Sequence, residues 1–310
     1  MLDVLFLTRF GSPAEVYSRI NLLMKFASLD GKSCEIRDIP EKRCRRLLFF
    51  AGLCKARQVI IHDTFLTRTE LVWISKRSDR IVFDCSTNFY LGQEPDFRRQ
   101  CRQVGACVAA QVDIARIMNT ACDQVRLVPN GVDTQRFSPR SSKDPASPLQ
   151  VGALVSSGGL AAFECVVQCL RSLAGPVQFL VVSDQPYTGP CCDFVFWEKR
   201  SEQRIASQLQ AMDVAVVPSV SEKRSGDTFQ LLQLMACGIV PVASATGGNA
   251  EIVDHGIDGF LVDDSSEWEK YVMHLLDAPE LRFSMGAAAR HKAVSRFDWN
   301  LLQQRFWEPW

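Results

Sequence analysis

Apolar runs of strand length alternate with longer stretches of helical period along most of the chain. LDVLFLT is followed by AEVYSRINLLMKFA, and then come SCEIRDI, QVIIH, RIVFDC, GACVAAQ and VRLVP. This alternation predicts a parallel sheet flanked by helices. A second series repeats the pattern: LQVGALV, FECVVQCLRSL, VQFLVVS, DFVFW, RIASQLQAM, DVAVVPS, FQLLQLMA, IVPVAS and GFLVD. Between the two lies FSPRSSKDPASP, residues 137–148, rich in Ser and Pro and without an apolar period, as an interdomain linker is. The expected organisation is an α/β domain over 1–136, a linker over 137–148 and a second α/β domain over 149–296. A chain of 310 residues is long enough for each half to bury its own core. In doubly wound sheets ligands gather beyond the carboxyl ends of the strands, so the residues just after each strand are the first candidates for function.

Composition narrows the possibilities by exclusion. Lys+Arg and Asp+Glu are equal at 35 each, so no global charge draws the chain to nucleic acid. The 12 cysteines are scattered through apolar stretches with no C-x-x-C pair or zinc spacing, and the N-terminus lacks a signal peptide pattern. A reducing, cytoplasmic location is expected. No apolar run reaches the roughly 20 residues of a membrane helix. EKRCRRLLFFAGLCKAR, residues 41–57, sets a basic cluster beside an apolar face. It suits peripheral contact with an anionic inner membrane face, or else a helix that packs its Leu and Phe inward and leaves its arginines solvated.

Several strand-to-helix junctions carry candidate chemistry. After the first strand, TRFGSPAEVYSRI has Ser12, Pro13 and Glu15 in the places of a capped helix start, which leaves Arg9 and Gly11 on a loop above a helix N-terminus able to hold an anion. The plainer alternative is a tidy turn. His62 and Asp63 end QVIIHD, and Asp84 lies in VFDCSTN. In SATGGNAEIVDHG, Gly247 and Gly248 permit close backbone approach, Asn249 suits the cap of a helix starting at Ala250, and Gly256 suits its left-handed terminus.

VRLVPNGVDTQRFSP (125–139) and MACGIVPVASATGGNAEIVDHGIDGFLVDD (235–264) closely resemble glycosyltransferase family 4, the group 1 glycosyltransferases, and RIVFDCSTNFYL looks like a compact bacterial branch of it. The resemblance implies the GT-B fold, two Rossmann-like doubly wound parallel-sheet domains facing across a cleft. It implies a retaining enzyme that moves a hexose from a nucleoside-diphosphate sugar to a saccharide or lipid-linked acceptor, with no cofactor beyond that donor and no metal. The absence of a D-x-D triad agrees. The closing segment, 297–310, resembles the final helix of these proteins, which crosses back to the first domain. There Asp298 is expected as cap, and Trp299, Leu302, Phe306 and Trp307 as packing.

Residue by residue, the resemblance also marks departures. Family members place a Glu, seven residues and a second Glu around the donor-site helix; here the second position is Gln233 and the first is Ser225. Gln233 is expected on the ribose hydroxyls and Asp227, nearest the helix start, on the sugar, with Glu222 the other acid in reach. Thr228 opens that helix. The usual diphosphate-binding Arg and Lys are replaced by Ala153 and Gly158. Each such preorganised donor is worth about 3–4 kcal/mol, so other groups must take over. The candidates are the backbone amides from Ser156 through Gly158 to Gly159, the cations Lys223 and Arg224, and Arg9. On the acceptor side His62 is the catalytic candidate alongside Asp227, while Ser86 and Thr87 stand where the branch has two acids. A leaving phosphate can take the acceptor proton, so their loss is not decisive. Two other functions fit less of the pattern. One is a catalytically impaired GT-B relative that binds nucleotide sugar or a partner transferase, and the other is an unrelated two-domain nucleotide-binding protein.

Overall fold

In the computed structural model the described residues are all except 10–14, 88–91, 142–146, 156–158, 175–176, 202, 220–227 and 309–310, and the side chains of 15–18 and 43 are also outside the description. The chain forms two compact units, residues 1–130 with 300–310, and residues 131–299.

The first unit is one parallel six-stranded sheet in the order β2-β1-β3-β4-β5-β6. Its strands are β1 (Leu2–Thr8), β2 (Cys34–Asp38), β3 (Ala56–His62), β4 (Ser78–Cys85), β5 (Ala106–Ala109) and β6 (Val125–Leu127). Crossovers run through α1 (Glu15–Leu29), α2 (Arg43–Ala51), α3 (Arg68–Ser75), α4 (Glu94–Gln103) and α5 (Val112–Asn119). The continuous apolar strands are buried on both faces: Leu5, Phe6 and Leu7 in β1 and Ile60 and Ile61 in β3 are inaccessible to solvent. Local signals agree with this packing. Thr67 and Glu70 form a reciprocal capping box at the start of α3, and Glu70 also accepts a two-point bond from Arg46 on α2.

The second unit repeats the design with the order β12-β11-β10-β7-β8-β9, all parallel. The strands are β7 (Leu149–Val155), β8 (Val177–Ser183), β9 (Val195–Lys199), β10 (Val214–Val217), β11 (Val240–Ser244) and β12 (Phe260–Val262). The helices are α6 (Leu160–Cys169), α7 (Ile205–Gln210), α8 (Thr228–Ala236), α9 (Gly248–Ile252), α10 (Glu267–Asp277) and α11 (Pro279–Arg296), while α12 (Trp299–Trp307) belongs to the first unit from Asn300 on. All nine residues of α8 are buried, as expected of a helix apolar on every side but for Thr228, Gln230 and Gln233. The MACG stretch ends it in a Schellman turn: Gly238 is left-handed at φ 72°, its N–H bonds Met235 O, and Ile239 N–H reaches back to Leu234 O.

The units divide at Asn130/Gly131, ahead of the Ser- and Pro-rich stretch expected as linker. Val132 and Phe137 are buried, and Phe137 belongs to the second core. Arg290 on α11 donates to the carbonyls of Thr134, Phe137 and Ala236 and fastens this segment there. At the other end Val132 bridges Asp298, so the return to the first unit begins at Asn300. Leu302 and Phe306 are then buried, and Arg126 on β6 donates to the carbonyls of Arg305, Phe306 and Glu308. Among the described residues no helix is long and apolar enough to cross a membrane.

Candidate functional site

At the carboxyl edge of the first sheet, β3 and β4 are in register with His62 opposite Asp84. His62 Nδ1 lies 2.6 Å from Asp84 Oδ2. Arg19, from α1, grips the same carboxylate at two points, Nε to Oδ2 at 3.0 Å and Nη2 to Oδ1 at 2.9 Å. Its remaining N–H groups donate to Val128 O, Pro129 O and Asn130 Oδ1, which ties the VPN turn after β6 to the same centre. Asp63 completes the group. Its backbone is left-handed at φ 41°, its carboxylate accepts from Ser86 N at 2.8 Å and Ser86 Oγ at 2.5 Å, and Oδ2 stands 3.3 Å from His62 Nε2, outside hydrogen-bond geometry.

Two cations and two carboxylates therefore neutralise one another in a buried quartet. Burial is the strongest influence on Asp84 and disfavours its charge, yet Arg19 and His62 outweigh it and hold the carboxyl down at about 2. Burial likewise opposes the His62 imidazolium, but Asp63 and Asp84 together raise its pKa above the ordinary value. His62 is 0% exposed, so it braces two strand ends with both ring nitrogens turned to carboxylates. Two other buried atoms at this edge, Thr64 Oγ1 and Gln111 Nε2, have no partner among the described residues. Arg9 is exposed just past β1, and Gly11 lies outside the described residues. Arg19 is the residue that sequence reasoning missed. Its only signal was a lone arginine between apolar neighbours on a core-facing helix.

At the carboxyl edge of the second sheet, the described polar groups just beyond β10 and β11 are neutral. Ser244 closes β11 and organises the bend after it: its Oγ accepts from Ser219 N beyond β10, and its carbonyl accepts from Thr246 N at 2.8 Å and Asn249 Nδ2 at 3.2 Å. Gly247, exposed and at φ 52°, is the N-cap of α9, and Gly248 is the first helical residue. Asn249 thus sits inside the helix, where a cap before Ala250 was expected, because its side chain turns back to Ser244. Gly256 is left-handed at φ 78°, as expected, but lies in the turn beyond Val253 that closes onto Gly259 O, not at the helix terminus. Lys292 secures the far end of α9 by donating to Ile252 O and pairing with Asp254 and Asp258. Helix α8 packs against α9 and β11. It carries Thr228 and Gln233, both buried, and Gln233 Oε1 has no partner among the described residues. Asn249 Oδ1 and Thr246 Oγ1 are in the same condition.

Of the other donor-side candidates, Gly159 is the N-cap of α6, while Ser156, Gly158, Glu222, Lys223, Arg224, Ser225 and Asp227 fall outside the described residues. A cavity of about 510 Å³, bordered by Arg140, Met212, Gly238, Arg282 and Phe283, opens near the amino ends of β7, β10 and β11, the opposite end of β11 from Ser244.

Known proteins share the fold, and several solved structures match nearly the whole chain. The Anabaena protein HepE in complex with UDP and glucose superposes with a TM-score of 0.75 at 15% identity, covering 99% of this chain and 98% of the other. Sucrose-phosphate synthase from Thermosynechococcus elongatus gives 0.79 at 14% identity, covering 99% and 97%. The fold is that of the GT-B class. Residues 150–278, which lie within the second unit, match the family of group 1 glycosyl transferases. Among sequence relatives, the D-inositol 3-phosphate glycosyltransferase of Corynebacterium jeikeium is 27% identical over 67% of this chain and 58% of its own length. The alpha-maltose-1-phosphate synthase of Mycolicibacterium smegmatis is 28% identical over 57% and 54%. The chain thus spans little more than half the length of these two relatives.

Proposed function

We propose that the protein is a retaining glycosyltransferase that moves a hexose from a nucleoside-diphosphate sugar to a saccharide or lipid-linked acceptor, with no cofactor beyond the donor and no metal. The observation that carries this reading is the buried Gln233 on α8, its side-chain oxygen unpartnered, within the stretch that matches the group 1 family. An amide oxygen there is suited to accept from ribose hydroxyls. The exposed, left-handed Gly247 and the following Gly248 permit close approach of the sugar diphosphate to the backbone. Leaving-group charge falls to Lys223, Arg224, Arg9, Gly11 and the amides of Ser156 to Gly159, and the sugar contact to Asp227 beside Thr228. In the reaction the bond from C1 to the phosphate oxygen breaks and a bond from C1 to the acceptor oxygen forms on the same face. The acceptor proton passes to the leaving diphosphate. His62, braced by Asp84, holds the acceptor-side strand ends in place.

Calorimetric titration of UDP, GDP and ADP tests this reading, with UDP first because HepE binds it. Micromolar binding of one nucleotide, weakened in Gln233→Ala and Asp227→Ala, is expected. Binding without transfer to any acceptor or to water would make the chain an impaired relative, and no binding would overturn the donor site.

The first unit supports peripheral contact with an anionic membrane, at the inner face of a cytoplasmic location. On α2, Leu47 and Leu48 are 60% and 77% exposed while Phe50 is buried, and Lys42, Arg45 and Lys55 are exposed beside them. Co-sedimentation with anionic liposomes at low salt is expected, and its absence would remove this contact.

A further inference from the structure

The unpartnered atoms at the second edge are not a random sample of polar groups. Gln233 Oε1, Asn249 Oδ1 and Thr246 Oγ1 come from α8, from the first turn of α9 and from the bend between β11 and α9, elements that pack together. Buried polar atoms in native proteins are nearly always paired, so three open oxygens on elements packed about β11 call for a ligand. The orientation of Asn249 is fixed independently, because its Nδ2 donates to Ser244 O, which leaves Oδ1 as the open atom.

The chemistry of these atoms restricts what they hold. The amide oxygens of Gln233 and Asn249 accept hydrogen bonds and cannot donate them, so the acceptor-only oxygens of a phosphate cannot satisfy them, whereas the hydroxyls of a ribose or hexose can; the Thr246 hydroxyl can accept from the same groups. We infer that Asn249 and Thr246 join Gln233 in a neutral hydroxyl-binding set that grips the ribose or hexose of the donor. This rests on the donor-site reading of the second unit and adds two residues that the Glu-to-Gln comparison alone did not single out. It also accounts for the absence of a carboxylate at position 233. With three neutral oxygens sharing the hydroxyls, the set needs no charge and places none against the incoming diphosphate.

The test uses two near-isosteric variants, Asn249→Leu and Thr246→Val, in the full chain, with UDP and UDP-glucose as probes for calorimetry and for thermal melting with and without ligand. Asn249→Leu is expected to weaken binding about tenfold and Thr246→Val about threefold to fivefold. Melting of the unliganded protein is expected to stay level or rise in both, because an open polar atom is removed while Ser244 O keeps its bond from Thr246 N. Loss with both probes assigns the set to the ribose, and loss with UDP-glucose alone assigns it to the hexose; either supports the inference. Wild-type affinity in both variants, or a lowered unliganded melting point with affinity unchanged, would overturn it while leaving the donor site intact. Failure of the wild-type protein to bind either nucleotide would remove the donor site and this set together.

Discussion

The described groups beyond β3 and β4 and those beyond β10 and β11 differ in the kind of polarity they carry. Beyond β3 and β4 the groups are charged and spend themselves on one another: Arg19 on Asp84, Asp84 on His62, Asp63 on Ser86. Beyond β10 and β11 the described groups are neutral, and three of their oxygens face no protein partner among the described residues. The same topology thus supports a charge-paired brace in one unit and a set of unpartnered neutral acceptors in the other. A paired buried network fixes geometry, whereas an unpaired one stores an unmet demand that a ligand can meet. Charge alone is therefore a poor guide to which edge is the site.

The largest expected effect comes from breaking the brace. Asp84→Ala leaves Arg19 and His62 buried without their counter-charge and should cost about 3–5 kcal/mol in urea unfolding at neutral pH. Arg19→Leu should cost a similar amount, and the double variant less than the sum, since the two act through one contact. A cost near zero for Asp84→Ala would erase the contrast between the edges.

The brace should also be sensitive to pH in both directions. Asp84 is depressed to about 2, so its contribution is present above the ordinary carboxyl range near 3.9 and is lost as pH falls toward 2. His62 is raised, so its contribution is full below about 6.5 and is lost as pH climbs through its folded value. The quartet therefore stabilises most between about pH 4 and 6.5. Urea midpoints should fall from pH 5.5 to pH 9, and the fall should shrink in His62→Gln. An equal slope in the variant would assign the pH dependence elsewhere.

Smaller effects belong to the open edge and the surface. Gln233→Ala should weaken nucleotide binding about fivefold to tenfold, close to 1 kcal/mol, by calorimetry. Leu48→Ser on α2 should change stability by less than about 0.5 kcal/mol while abolishing liposome co-sedimentation.

Much of this architecture was legible in the sequence. The alternating apolar runs located the strands, and MACG announced the end of α8 through its left-handed glycine. The domain boundary was less legible, because Ser and Pro content described the flexibility of 137–148 but not the pull of Phe137 and Arg290, a contact made across more than 150 residues of chain. The quartet escaped for the same reason. His62 and Asp84 were visible as candidates, yet their meaning depended on Arg19, which stands 65 residues from Asp84. Asn249 was misplaced by a single turn of local geometry, since a cap and a back-bonded helical asparagine share one sequence signature. Spacing reveals which residue types sit at a strand end, but only three-dimensional pairing reveals which atoms are left open.

The grip of Arg126 on the last turn of α12 has a consequence for how the molecule is made. Residues 300–310 complete the first unit, but a ribosome must first produce all of residues 131–299, which takes roughly ten to thirty seconds at bacterial rates. During that interval the half made first lacks the carbonyls of Arg305, Phe306 and Glu308 that Arg126 grips and the buried Phe306, while the half made second can already close its core. The order of synthesis and the order of completion are therefore reversed, and the nascent first unit is the one exposed to chaperones and proteases.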